Sequence, residues 1–326
     1  MCMKKTALIV FLYVCSLSVF AQKATVGKQH SFAKQVPAGN FSGITPLGEG
    51  SYAVVDDKKP DGFYVFRIDL SDKGKLLSVE NQGFSASGLP NRDAEDIVYV
   101  EQSNTLFING EADSRVTEYS IDGKPTGREL LVPEQFQHPQ SNRGIEALAY
   151  DGQAHRFWLT TEDVLPEDRN SFTGKGNVLR LQSFDGSTLR PTASFLYEMD
   201  APRSKHAGRV HVKGVSAMTV LPDQRLLILE RECYLPKRKI GAWVECKLFI
   251  VDPASAILSA NSEESILKKQ LLCKWRTRNF RFANYEGMCL GPVLKDGSQV
   301  ILLVSDSQNQ YGSLLKDWFK TILLAP

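Results

Sequence analysis

Polar residues step into apolar runs in one recurring phrase along this chain. A Ser or Glu is followed by a small residue or Asp and then by Ile, Leu or Met, at Ser42-Gly43-Ile44, Glu95-Asp96-Ile97, Glu146-Ala147-Leu148, Ser216-Ala217-Met218 and Glu286-Gly287-Met288. After each copy comes a turn and then a β-branched or aromatic run closing on an acid: residues 52–56, 105–111, 156–162, 225–230 and 299–306. A supersecondary unit returning at intervals of 51 to 70 residues marks a solenoid or a propeller. Four strands can be assigned within a unit, most clearly at 215–221, 225–230, 247–251 and 270–275, and again at 43–47, 52–56, 63–70 and 75–79. Turn dipeptides separate the strands, at Asp122-Gly123, Asp151-Gly152, Asp185-Gly186 and Asp296-Gly297. Helical periodicity is confined to 254–269, where a short helix is expected.

Four short antiparallel strands per repeat in a long all-β chain predict a β-propeller of five blades, with six as the alternative. The last unit runs out of chain after 287–290, 300–305 and 314–323, so its missing outer strand is expected from 25–36, closing the ring. A jelly roll or sandwich would also supply many short strands. Neither explains an acid at the same point of each repeat.

The first residues change the picture of where the protein works. Lys4 and Lys5, the apolar stretch 7–20 and the small-residue ending at Ala21 read as a secretory leader over 1–21. A lipid anchor at Cys15 is the weaker reading, since Leu12-Tyr13-Val14 lacks small residues. The expected product is one propeller domain over 22–326, exported to the periplasm or beyond a bacterial cell, without a transmembrane segment and monomeric. The 39 basic residues exceed the 37 acidic ones by two, and the leader holds two lysines and no acid. A mature chain so nearly neutral is not a nucleic-acid binder. Cys233, Cys246, Cys273 and Cys289 remain after the leader, an even number in an oxidising compartment. Cys233 and Cys246 flank a predicted hairpin loop and are the preferred disulfide, with Cys273–Cys289 as the second.

In a propeller blade the start of the first strand and the end of the second lie at one rim of the channel. That geometry gathers Ser42, Glu95, Glu146, Ser216 and Glu286 with Asp56, Glu111, Glu162, Glu230 and Asp306. Crowded carboxylates raise one another's pKa unless cations compensate. Ca2+ is the natural hard ion, with Glu111, Glu162, Glu230 and Asp306 as ligands. Arg92, Arg143, Lys213 and Arg231 are the neighbouring basic side chains, and the basic stretch 205–213 could reach the channel mouth or remain a solvated loop. Blade-cementing ion pairs are the structural alternative for any one acid.

The phrases Gly144-Ile145-Glu146-Ala147-Leu148 with Trp158-Leu159-Thr160-Thr161-Glu162, Gly214-Val215-Ser216-Ala217-Met218 with Leu227-Ile228-Leu229-Glu230-Arg231, and Asn284-Tyr285-Glu286-Gly287-Met288 with Leu303-Val304-Ser305-Asp306 carry a resemblance. The chain resembles, over nearly its whole mature length, the phytase-like domain family named for the esterase-like activity of phytase. That resemblance implies an exported β-propeller hydrolase acting on esters. The expectation is therefore a Ca2+-assisted hydrolase of a small phosphate or carboxylic ester. Glu146, Glu162, Glu230, Glu286 and Asp306 would hold the metal or position water, Arg231 would complete the catalytic set by countering the developing charge, and Arg231, Arg143 and Lys213 would face the substrate. A propeller that binds a sugar, an anion or a protein without turnover is the alternative.

Overall fold

The computed structural model describes residues 22–137, 144–168, 177–206, 208–238, 240–258, 265–311 and 314–326. The expected leader, 1–21, and Arg143 lie outside the described residues. The regular structure of the described chain is almost wholly strand, arranged as five antiparallel blades. Strands β2 (Phe41–Gly48), β3 (Ser51–Asp56), β4 (Gly62–Leu70) and β5 (Leu76–Ala86) make the first blade. The second holds β6 (Ala94–Val100), β7 (Thr105–Gly110), β8 (Arg115–Ser120) and β9 (Pro125–Glu129). The third holds β10 (Ile145–Asp151), β11 (Arg156–Thr161), β12 (Val178–Asp185) and β13 (Pro191–Glu198), extended outward by the two-residue strands β17 (Ile257–Leu258) and β18 (Ser265–Ile266). The fourth is β14 (Val210–Val220), β15 (Leu226–Leu235), β16 (Trp243–Val251) and β19 (Lys269–Arg278).

Ring closure follows the sequence expectation. In the fifth blade β20 (Asn284–Val293), β21 (Gln299–Asp306) and β22 (Phe319–Leu324) are completed by β1 (Ala24–His30), which pairs antiparallel with β22 from Ala24 opposite Leu324 to His30 opposite Phe319. Five blades are present and the six-blade alternative falls. The helix expected at 254–269 is absent among its described residues, where a single 3-10 turn, Pro253–Ser255, precedes β17. Asp252 caps that turn by accepting a hydrogen bond from the Ala254 N–H, and Pro253 cannot donate into a longer helix.

Burial explains why the second strands read as near-continuous apolar runs. Every residue of β21 after Gln299 is buried, because each inner strand is sandwiched between two neighbouring blades. Five apolar clusters fill the five interblade gaps. Leu227 and Leu229 meet Met288 and Ile301, for example, and Phe107 packs at 4.6 Å between ring centroids on Phe157. Burying one such side chain contributes about 1.5–3 kcal/mol. The ring is therefore held at every joint, the outward-facing β5 and β9 least.

The recurring phrase has a structural meaning that the pattern alone does not reveal. In every blade the pairing of the first two strands slips by one residue at that point, between Phe41 and Gly43, Ala94 and Asp96, Ile145 and Ala147, Val215 and Ala217, and Tyr285 and Gly287. Each slip is a β-bulge, and the unpaired residues are Ser42, Glu95, Glu146, Ser216 and Glu286. Glycine beside the bulge permits close approach of the first strands. A Cβ on Gly43 would lie 2.5 Å from the Asp96 Cα.

The cysteines depart from the expected bridges, since all four are free. On the β15–β16 ladder Cys233 faces Val244 and Cys246 faces Arg231, so the two thiols are diagonal rather than opposite. Cys273 packs with the cluster between the fourth and fifth blades, whereas Cys289 packs between the fifth and the first.

Candidate functional site

The bulges aim their unpaired residues at one mouth of the channel, and the residue just past each second strand joins them. Opposite the bulge the ladder runs Phe41 to Asp56, Ala94 to Gly110, Ile145 to Thr161, Val215 to Glu230 and Tyr285 to Ser305. The next residue along is Asp57, Glu111, Glu162, Arg231 or Asp306. Strand side chains alternate faces, so this one-residue offset decides which side chain enters the mouth.

Arg231 is the centre of the mouth. Its Nη1 donates to Glu286 Oε1 and to Asn284 Oδ1, both at 2.7 Å, and its Nη2 donates to Glu162 Oε1. Asn284 also donates to Glu286 Oε1 at 2.7 Å, fixing that carboxylate from a second side. A Cβ at Gly214 would stand 2.4 Å from the Glu162 carbonyl oxygen, so only glycine lets Glu162 lie this close to β14. Glu111 accepts a hydrogen bond from the Gly144 N–H at 2.7 Å, and Asp306 accepts from the Gln308 backbone and side chain.

Two carboxyls are left without a direct partner. Among the described residues neither Glu95 nor Glu146 has a hydrogen-bond or ion-pair partner for its side chain, although Glu146 is only 7% exposed. Burial drives both well above the usual carboxylate range, with Glu286 and Asp57 adding repulsion at Glu95 and with Glu95 and Glu162 adding it at Glu146. Burial likewise raises Glu286, Glu111 and Asp306. The Asp57 carboxyl is pushed up to about 7 by burial, despite Lys58 beside it. Two donors are orphaned as well: Arg231 Nε and the Ser216 hydroxyl are buried without a partner. Buried polar groups are normally satisfied, and a cluster of unsatisfied ones at a channel mouth is what a ligand site leaves behind.

Asp57, Asp93 and Glu95 present carboxylate oxygens within 4.8 Å of one another, and no other group of ligating side chains among the described residues comes together this way. Carboxylates at this spacing suit a hard divalent ion. Sequence reasoning missed Asp57, Asp93, Lys58 and Asn284. Asp57 follows the named Asp56, and Asn284 lies two residues before the named Glu286. Asp93 and Lys58 lie in loops outside the repeat.

Four expected site residues lie elsewhere. Asp56 turns into the joint with the fifth blade, where its Oδ1 accepts from the Lys58 N–H at 3.1 Å. Glu230, one residue before Arg231, faces the third blade. It accepts from Tyr197 Oη at 2.9 Å, from the Asp200 N–H at 3.1–3.2 Å, from Lys213 Nζ at 3.0 Å and from Lys269 Nζ at 2.5 Å. Glu230 is thus a clamp between blades rather than a member of the ring, and Lys213 is spent on it. Arg92 serves a third place, where its Nε donates to Asp113 Oδ2 at 2.7 Å. Removing one partner of a buried ion network leaves the others uncompensated, so Glu230→Gln is expected to lower stability by about 3 kcal/mol in urea unfolding.

The channel also holds a cavity of about 540 Å³, at the opposite end of the first strands. Its lining is chiefly apolar, including Ile44, Ile97, Leu148, Met218 and Met288, and it contains none of the ring carboxyls. The ring carboxyls are therefore confined to the bulged end.

Fold and site together define a five-bladed propeller with a buried carboxyl ring around Arg231 at one mouth. Residues 36–308 match the phytase-like family described as esterase-like activity of phytase, and the chain belongs to that family. No curated protein matches the chain. Among solved structures it is similar to the endo-arabinase of Bacteroides thetaiotaomicron VPI-5482, at 12% identity and a TM-score of 0.47 over 89% of this chain and 95% of the other. It is similar to the periplasmic gluconolactonase of Pseudomonas aeruginosa at 14% identity and a TM-score of 0.34, over 84% of this chain and 68% of the other. Hydrazine synthase of Kuenenia stuttgartiensis gives 7% identity and a TM-score of 0.43, over 86% and 80%. Likenesses this distant carry no argument about function. No helix among the described residues is long and apolar enough to cross a membrane.

Proposed function

We propose that the protein is an exported hydrolase of small esters, phosphate esters ahead of carboxylic ones, working with Ca2+ at the bulged mouth. The observation that carries this reading is the unpaired, buried Glu146 beside Arg231, whose Nε–H is itself unsatisfied, with the half-buried and likewise unpaired Glu95 next to Glu146. The carboxyl set fits such an ion. Asp57, Asp93 and Glu95 would hold it, and Asp57 Oδ1 is buried without any partner at present. Bound there, the ion would supply Lewis acidity and make neighbouring water more acidic. It would also offset the negative field that otherwise repels a phosphate ester.

The chain's own residues account for the rest. Glu162, Glu286 and Asn284 fix the Arg231 guanidinium, leaving Nε–H as a preorganised donor for an oxygen on which charge develops. The Ser216 hydroxyl is a second such donor. Glu146, whose carboxyl burial raises well above the usual range, is placed to deliver its proton to the leaving alkoxide. Water is the nucleophile, held by hydrogen bonds to Glu111 and Asp306 at the rim, and Glu111 takes the proton it loses on attack.

Assays of phytate, aryl phosphates and aryl acetates with and without Ca2+ test the reading. Turnover should vanish with chelator, and Glu146→Gln should lose about 100-fold in kcat while remaining folded. Hydrolysis indifferent to both changes would refute it. Tight binding of one of these compounds without turnover would favour a non-catalytic propeller instead.

A further inference from the structure

Lys58 stands where the proposed ion would sit. Its ammonium lies 2.8 Å from Asp57 Oδ2 and 2.8 Å from Asp93 Oδ1, two of the three carboxylates that converge within 4.8 Å. The rest of the side chain is in solvent, 59% exposed, against 17% and 25% for the two acids it bridges. Its backbone is pinned, since the Lys58 N–H is taken by Asp56 Oδ1 and the Lys59 N–H by the Asp56 carbonyl. Only the flexible stem is free to move, and exposed lysine rotamers exchange on a ps–ns timescale.

One ammonium does not satisfy this place. Asp57 Oδ1 stays buried and unpartnered although Oδ2 is bound, and the Glu95 carboxylate takes nothing from Lys58. Behind Glu95 stands Glu146, more than nine-tenths buried and likewise without a partner among the described residues. A single charge on a tether holds the outer edge of the cluster, and the inner carboxyls keep an unmet demand for positive charge.

We infer that Lys58 is a tethered competitor for the cation site formed by Asp57, Asp93 and Glu95. Its ammonium offsets the repulsion between these acids when the ion is away and must swing into solvent for a divalent ion to enter. This rests on the cation reading proposed above. The consequence is a threshold: the site loads only when free divalent ion outcompetes an ammonium whose effective concentration is fixed by its tether. Lysine suits the task, being a compact, strongly hydrated point charge on a four-carbon stem.

The test is calorimetric titration of the full chain with CaCl2, alongside Lys58→Met and Lys58→Arg. Lys58→Met keeps the apolar stem and removes the charge, so it should bind Ca2+ roughly tenfold more tightly, less so in high salt. Lys58→Arg retains a competitor and should bind no more tightly than the parent. Before any ion is added, Lys58→Met should also melt at a lower temperature, its carboxylates being uncompensated. If the parent binds Ca2+ and Lys58→Met binds it equally or less well, Lys58 is an ordinary ion-pair partner and the inference falls while the cation reading stands. If none of the three binds Ca2+, both fall together.

Discussion

Replacing Arg231 with Met should unfold the protein more readily and silence its site at once. The guanidinium lies between Glu162 and Glu286, with a side-chain exposure of 6%. Met fills much of the same volume but leaves two buried carboxylates facing each other and Glu146. Breaking a buried ion network from one side typically costs about 3–5 kcal/mol, because the remaining charges have lost water and their opposite charge. The deficit should be largest near pH 8 and shrink toward pH 5. Without Arg231 the carboxyls take up protons more readily, and neutral carboxyls no longer repel. Urea unfolding at the two pH values measures this difference directly. Hydrolysis by whatever fraction stays folded should fall by about 100- to 1000-fold, the usual loss on removing a preorganised donor. Full activity in a folded Arg231→Met protein would exclude Arg231 from the chemistry.

Acidity should protect the metal-free protein, against the common behaviour of salt-bridged domains. Burial raises Glu95, Glu146, Glu286, Glu111 and Asp306, and takes Asp57 to about 7. A carboxyl whose folded pKa is raised binds its proton better when folded. The associated stability is whole below the unfolded pKa and is lost as pH climbs through the folded one. For Asp57 that window runs from 3.8 to about 7, and for the deeper glutamates it begins at 4.5 and extends upward. Carboxyls displaced the other way, such as Asp185 with its Thr188 hydrogen bonds, act only below pH 4. In chelator the melting temperature should therefore drop by roughly 5–10 °C between pH 5 and pH 8. Millimolar Ca2+ should recover most of the loss at pH 8 and little at pH 5, where protons already occupy the carboxyls. A melting temperature that rises with pH in chelator would contradict the burial of these groups in charged surroundings.

Much of this architecture was legible in the chain. Apolar runs that can only be buried on both faces, returning at a regular spacing, specify inner strands of a ring. A final unit short of a strand, with a spare strand expected from 25–36 and found at Ala24–His30, specifies how the ring closes. Glu95, Glu111, Glu146, Glu162, Glu286 and Asp306 share one mouth because equivalent positions in rotationally related blades are equivalent in space.

What the pattern could not determine is which of two adjacent residues faces the channel. Side chains in a strand alternate, and a bulge resets that alternation by skipping one residue. Skipping depends on how two strands pair, and pairing is decided by packing between blades. The tertiary structure alone therefore exchanged Glu230 for Arg231 and Asp56 for Asp57, turning an expected metal ligand into an interblade clamp. It alone brought Asp93 and Lys58 from loops to the same carboxyls. Sequence periodicity reports on surfaces that must be buried. Where a single charge ends up is settled by the last residue of register, and only the closed ring fixes that.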